Sequence, residues 1–196
     1  RLADGRESHV KTPSPGDVIY MTGGKVGSDG IHGATFSSIE LTEDSPSSAV
    51  QIGDPITQKK MVDMLIEARD AGIVQVTTDN GAGGLSSSVG EMAELTGGAT
   101  LDLSVVPLKQ AGLSPWEILV SESQERMTIG VKPEDCAEFE VLAELHEVEA
   151  TAVGEFTDSG NFEVRYGDTT VALLPLEFLH DGVPQLELVS EWVPPE

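Results

Sequence analysis

Ile73-Val-Gln-Val-Thr-Thr-Asp-Asn-Gly-Ala-Gly-Gly84 compresses an apolar strand, a carboxylate and a glycine-rich turn into twelve residues. Ile73 to Thr78 has the length and the β-branched character of a strand. Asp79 to Gly84 turns immediately afterwards, because its glycines supply torsions that other residues resist. Ser88, with Glu91 three residues on, has the spacing of a capping box, so a helix is expected from about Ser88 to Leu95, stopped by Gly97-Gly98. A similar unit stands upstream. Asp17 to Thr22 is a short apolar run of strand length, followed by glycines at 23, 24, 27, 30 and 33. Asp54-Pro55 then supplies an N-cap and a first helical residue, and Met61, Leu65 and Ala68 recur on one face until Gly72 offers a stop.

Downstream, Leu101 to Val106, Ile118 to Ser121 and Met127 to Val131 read as strands. A helix is expected to begin at Pro133, with Glu134 and Asp135 suiting the positive end of its dipole. Ala150 to Phe156, Phe162 to Tyr166 and Thr170 to Leu174, punctuated by Asp158-Ser-Gly160 and Gly167-Asp168, read as antiparallel strands. The fold class is therefore α+β, or mixed α/β: a mixed sheet with packed helices in one domain over residues 17–186. Residues 1–16 hold Pro13, Pro15 and Gly16 without periodicity and read as a leading linker, and residues 187–196 as a tail or the start of the next linker.

The chain has 196 residues, of which 39% are hydrophobic, enough for one core. Eleven basic residues against 34 acidic ones give a formal charge of -23, which excludes nucleic acid and anionic membrane as partners, since both are held by clustered Lys and Arg. The acids are dispersed as a solvated surface. Cys136 is the only cysteine and sits in a helical pattern, so a disulfide or thiolate-metal site has no partners, and it is expected to be a buried bystander. No apolar stretch reaches the ~20 residues needed to span a bilayer. The start, Arg1-Leu-Ala-Asp-Gly-Arg-Glu7, has no signal-peptide core, so the chain reads as cytoplasmic, and its lack of an initiator Met suggests a piece of something longer.

Chemistry has few candidate sites. The loop Gly23 to Gly33 could bring backbone amides to a phosphate or simply make a tight connection, and it matches neither a Walker motif nor a dinucleotide fingerprint. His9, His32, His146 and His180 lack metal-ligand spacing, and no nucleophile elbow is present. Asp79, at the end of a buried strand beside a flexible turn, projects where open α/β sheets bind ligands. Two readings stand: a ligand of Mg²⁺, which commonly takes only one or two protein carboxylates, or a turn former accepting backbone amides. Glu122-Ser-Gln124, between two expected strands, offers an acceptor, a hydroxyl and an amide, and suits either a polar small molecule or an exposed hairpin.

Six segments occur in order: Asp29-Gly-Ile-His-Gly-Ala-Thr-Phe-Ser-Ser38, Ala49-Val-Gln-Ile-Gly-Asp-Pro55, Thr78-Asp-Asn-Gly-Ala-Gly-Gly-Leu-Ser-Ser87, Pro107-Leu-Lys109, Pro115-Trp-Glu117 and Ser121-Glu-Ser-Gln-Glu-Arg-Met127. Together they resemble the synthetase subunit of formylglycinamide ribonucleotide amidotransferase (phosphoribosylformylglycinamidine synthase) of the small, multi-subunit type. The resemblance runs to Glu177-Phe-Leu-His180 and is to the C-terminal-type domain of the first of two domain pairs, shared in fold with aminoimidazole ribonucleotide synthetase. Selenophosphate synthetase and thiamine-phosphate kinase carry the same domain type, but Pro115-Trp-Glu117 and Ser121 to Arg126 favour the amidotransferase. A noncatalytic nucleotide-sensing or assembly domain is the alternative from another class.

The resemblance implies ATP-dependent ligase chemistry in purine synthesis, in which the formyl amide oxygen of formylglycinamide ribonucleotide is activated and replaced by ammonia. It implies as partners a glutaminase subunit, a small bridging subunit and the remaining domains of the same polypeptide. Carried over residue by residue, Gln51, Glu122, Ser123 and Gln124 match positions that contact the ribonucleotide, and Asp79 matches a Mg²⁺ ligand. The family's catalytic histidines and most of its ATP ligands lie in other segments, so no catalytic residue is expected in this chain.

Overall fold

The computed structural model describes residues 10–32 and 53–192. Its frame is a seven-stranded sheet: β1 (Val18–Gly23), β2 (Val74–Asp79), β3 (Ala99–Asp102), β4 (Arg126–Val131), β5 (Ala150–Phe156), β6 (Asn161–Tyr166) and β7 (Thr169–Pro175). The spatial order is β2-β4-β1-β5-β3-β6-β7, antiparallel at every pair except β3 with β6, which run parallel. Helices α1 (Pro55–Asp70) and α4 (Cys136–Leu145) cover one face, and α2 (Gly84–Glu94), α3 (Pro115–Val120) and α5 (Leu176–Asp181) contribute to the other.

Strand β1 shows why it is central. Successive side chains of a strand point to opposite faces, and here Ile19 and Met21 enter one core while Tyr20 enters the other. A strand covered on both sides is therefore apolar throughout, as Asp17 to Thr22 reads. Tyr20 packs its ring on Phe139 of α4 at 4.9 Å between centroids and donates its hydroxyl to Glu140 at 2.7 Å. Burial first, then hydrogen bonding with Glu140 and Cys136, pushes the Tyr20 phenol far above its ordinary pKa.

Helix α1 is built as expected at both ends. Asp54 Oδ1 accepts from the amides of Ile56 (3.1 Å) and Thr57 (3.3 Å), and Gly72 takes φ +82° just past the C-cap. Its buried stripe is Met61, Met64 and Ala68, with Leu65 only half-buried, so the packed face is turned slightly from the expected one.

Other boundaries differ. Helix α2 starts at Gly84, one turn before Ser88, and Ser88 is a buried interior residue instead of a cap. The reason is tertiary: the start of α2 presses so closely on the end of α3 that a Cβ on Gly84 would lie 2.1 Å from the Ser121 carbonyl oxygen. The run Ile118 to Ser121 is not a strand: Ile118 to Val120 end α3 and Ser121 is its C-cap, and the helix N-terminus is fixed by Glu117 accepting the Ser114 amide at 2.8 Å. A four-residue apolar run has no period long enough to separate the two readings. The strand expected over Leu101 to Val106 ends at Asp102, where a 3-10 turn over Leu103–Val105 takes over. Strands β6 and β7 form the expected hairpin, but β3 inserts between β5 and β6. Cys136 is half-buried at the start of α4, less enclosed than a core bystander, and donates to the Lys132 carbonyl at 3.3 Å.

Candidate functional site

Antiparallel pairing brings three connections to one edge of the sheet. Gly23 at the end of β1 stands opposite Arg126 at the start of β4, and Asp79 at the end of β2 stands opposite Met127. The segment 121–125 leading into β4 therefore lies between the glycine loop after β1 and the turn after β2. Residues over 90 positions apart in sequence meet there: the Gly27 amide donates to Ser123 Oγ at 2.9 Å.

Asp79 is exposed, and its Oδ1 accepts the Gly81 amide at 2.9 Å, so it does form a turn. That bond uses one oxygen of the carboxylate. Among the described residues no group of three or more His, Cys, Asp or Glu side chains could hold a metal ion. A hard cation that keeps most of its ligands as water and phosphate oxygens asks for less than this, and a single exposed carboxylate fits such a requirement.

The Glu122-Ser-Gln124 stretch joins a helix to a strand, not two strands, and two of its three side chains are buried. Glu122 is 6% exposed; its Oε1 accepts the Gly83 amide at 3.3 Å and its own amide donates to the Asp29 carbonyl at 2.8 Å, so it ties the two glycine turns together. Ser123 is 1% exposed, and its hydroxyl accepts from Gly27 and donates to Asp29 Oδ2. Gln124 is half-buried, with its amide nitrogen 3.2 Å from the Glu122 carbonyl. It lines both a cavity of about 110 Å³ shared with Asp79, Asn80 and Arg126 and one of about 400 Å³ shared with Gly23, Asp54, Thr57 and Lys109. Asp79 and Gln124, distant in sequence, thus flank one space. Gln51 lies outside the described residues, as does the end of the glycine loop at Gly33. His32 is exposed.

Three further residues of this region, Arg126, Asp29 and Lys109, have structural roles that their positions in sequence do not reveal. Arg126 is 3% exposed and bends the loop round its guanidinium, with Nε donating to the Ser123 carbonyl at 2.8 Å and Nη2 to the Ser121 carbonyl. Burial lowers its pKa to about 10, opposed by the charge of Asp29, and it stays protonated at neutral pH. Burial also acts on Asp29, pushing its carboxyl up, but hydrogen bonds from Lys109 (2.8 Å) and Ser123 outweigh this and hold it below the usual range. Asp29 and Lys109 stood inside quoted motifs, yet nothing in their spacing says that they pair.

The family model for "AIR synthase related protein, C-terminal domain" matches residues 14–167. The chain is 44% identical to phosphoribosylformylglycinamidine synthase subunit PurL of Methanopyrus kandleri over 181 residues, 90% of this chain and 25% of that protein. It thus spans about a quarter of the length of such relatives. Among solved structures, T. maritima PurL complexed with FGAR superposes with a TM-score of 0.82 at 34% identity, over 95% of this chain and 31% of that one. T. maritima PurL complexed with ATP gives 0.78 at 30%, over 95% and 29%. The family model spans six of the seven strands, from β1 to β6, with the connections that meet at the strand ends, and on this ground the chain belongs to the family of AIR synthase related protein C-terminal domains.

Proposed function

We propose that this chain is the first AIR-synthase-type C-terminal domain of a phosphoribosylformylglycinamidine synthase, contributing part of the ribonucleotide site and one Mg²⁺ ligand. The whole enzyme would use ATP and glutamine-derived ammonia to convert formylglycinamide ribonucleotide into the amidine. The observation that carries the reading is the shared cavity: Asp79, with its exposed carboxylate, and Gln124 line one space at the ends of β1, β2 and β4. The similarity to a PurL complexed with FGAR supports it.

In this reading Gln124 both donates to and accepts from the uncharged, hydroxyl-bearing part of the ribonucleotide, as an amide can. Glu122 and Ser123, whose side chains and backbone are engaged within the fold, fix the loop that presents Gln124. Gln51 joins Gln124 as a substrate ligand, in keeping with the resemblance. Asp79 would hold Mg²⁺, which when bound neutralises charge on phosphoryl oxygens. No residue here is proposed to transfer a proton. The acid-base groups, most ATP contacts, the glutaminase and a small bridging subunit belong outside this chain.

The test is Gln124→Ala in the full-length enzyme. Loss of a hydrogen bond to a bound polar ligand should lower kcat/KM for formylglycinamide ribonucleotide by roughly tenfold or more, with the KM for ATP nearly unchanged. Equal weakening toward both ligands would point to a general folding defect and sink the assignment.

A further inference from the structure

The larger cavity gathers three lysines, Lys25, Lys60 and Lys109, from a chain with only 11 basic residues and a net charge of -23. They are not equivalent. Lys60 is paired with Glu147, and Lys25 is exposed on the glycine loop. Lys109 is held from both ends. Its amide donates to the Val26 carbonyl at 2.7 Å while the Val26 amide donates to the Pro107 carbonyl at 2.9 Å, stitching the segment to the buried root of the glycine loop. Its stem lies so close over Gly27 that a Cβ there would come within 2.9 Å of Lys109 Cδ. Its ammonium donates to Asp29 Oδ2 at 2.8 Å, and Asp29 is fixed in turn by Ser123.

An ammonium with three donors and one carboxylate partner has donors left for a ligand. Its side chain is 42% exposed and lines the cavity that Gln124 also lines. Four carboxylates line the cavity as well: Asp54 caps α1 and Glu147 pairs with Lys60, while Glu125 and Glu149 complete the set. The amides of Gly23 and Gly24, which also line the cavity, donate to the carbonyls of Glu149 and Glu125, so an anion there would be met by the lysines. A fixed cation suits an anion with several oxygens, and a tethered charge loses less freedom on binding than a mobile one.

We propose that Lys109 binds the phosphate monoester of a sugar-phosphate ligand, with Asp29 and Ser123 as the positioning residues that hold its ammonium toward the cavity. The proposal deepens the ribonucleotide reading by naming the group that recognises the ligand's anionic end, and it rests on that reading only for the identity of the rest of the ligand.

The test uses the full-length protein and ribose 5-phosphate as probe, titrated by calorimetry against wild type, Lys109→Met and Lys109→Arg, with ribose as the uncharged control. A hydrogen bond from a charged donor predicts that Lys109→Met weakens ribose 5-phosphate binding by roughly tenfold or more, while Lys109→Arg restores part of it. Asp29→Asn, which keeps the ammonium but loosens its anchor, should fall between wild type and Lys109→Met. The double variant Asp29→Asn with Lys109→Met removes any unpaired carboxylate and should bind as weakly as Lys109→Met. Unchanged affinity in Lys109→Met, or no preference of wild type for ribose 5-phosphate over ribose, overturns the proposal. An equal loss of ATP affinity overturns it too, by assigning Lys109 to a nucleotide polyphosphate. If wild type binds the probe through Lys109 yet makes no amidine from formylglycinamide ribonucleotide, the phosphate site stands and the enzymatic reading fails.

Discussion

At the scale of single residues, Asp79 shows how one side chain can satisfy two physical requirements. Its Oδ1 closes a turn onto the Gly81 amide, and under the proposed function the rest of the exposed carboxylate would meet a cation. Asparagine would keep the first property and lose the second, because both residues accept backbone hydrogen bonds in turns while only the carboxylate carries charge. In the full-length enzyme, Asp79→Asn should leave the melting temperature near wild type and lower kcat, with part of the loss recovered at higher Mg²⁺ by mass action. A Mg²⁺ titration of steady-state rate checks this, and superimposable curves for the two proteins would leave only the turn role. The burial of Glu122 and Ser123 makes the opposite point. Residues that look like an exposed polar cluster in sequence are largely consumed in holding two glycine turns together.

The elements explain why such a loop is fixed. Segment 121–125 has no regular structure, yet it is held by the end of α3, the start of α2, the glycine loop and the guanidinium of Arg126. The tightest of these contacts is Gly84, which combines φ +55° with the Ser121 carbonyl in the space a Cβ would fill. Gly84→Ala should therefore strain both the backbone and the α2–α3 contact, destabilising the domain by on the order of 1–3 kcal/mol. Denaturant unfolding of the full-length protein would show it, and a stability equal to wild type would mean that the two helices can separate at no cost. The same contact moved the start of α2 away from the Ser88 capping pattern. A local motif worth a kcal/mol or so yields to close packing that nothing local encodes.

On the scale of the whole molecule, the domain supplies walls and anchors more than reactive groups. The two cavities that Gln124 lines contain carboxylates, amides and lysines, and the chain spans about a quarter of relatives such as the Methanopyrus kandleri subunit. The isolated chain should accordingly form no amidine above a no-protein control when given ATP, Mg²⁺, formylglycinamide ribonucleotide and ammonia, and measurable product would overturn the division of labour proposed above. Ammonia in the assay removes any need for a glutaminase. What the sequence by itself determined was the set of parts: the apolar strands β1, β2 and β4, helix α1 with its Asp54 cap, the β6–β7 hairpin, the family, and Asp79 and Gln124 as residues of interest. These are legible because periodicity, capping and glycine torsions act over a few residues. Tertiary structure alone decided that β3 separates β5 from β6, that Ile118 to Val120 is helical, that Ser88 joins Asn80 and Thr128 in a buried polar network, and that Lys109 reaches Asp29 across 80 residues. Those outcomes depend on which surfaces bury one another, and burial is a property of the assembled chain that no short stretch of sequence contains.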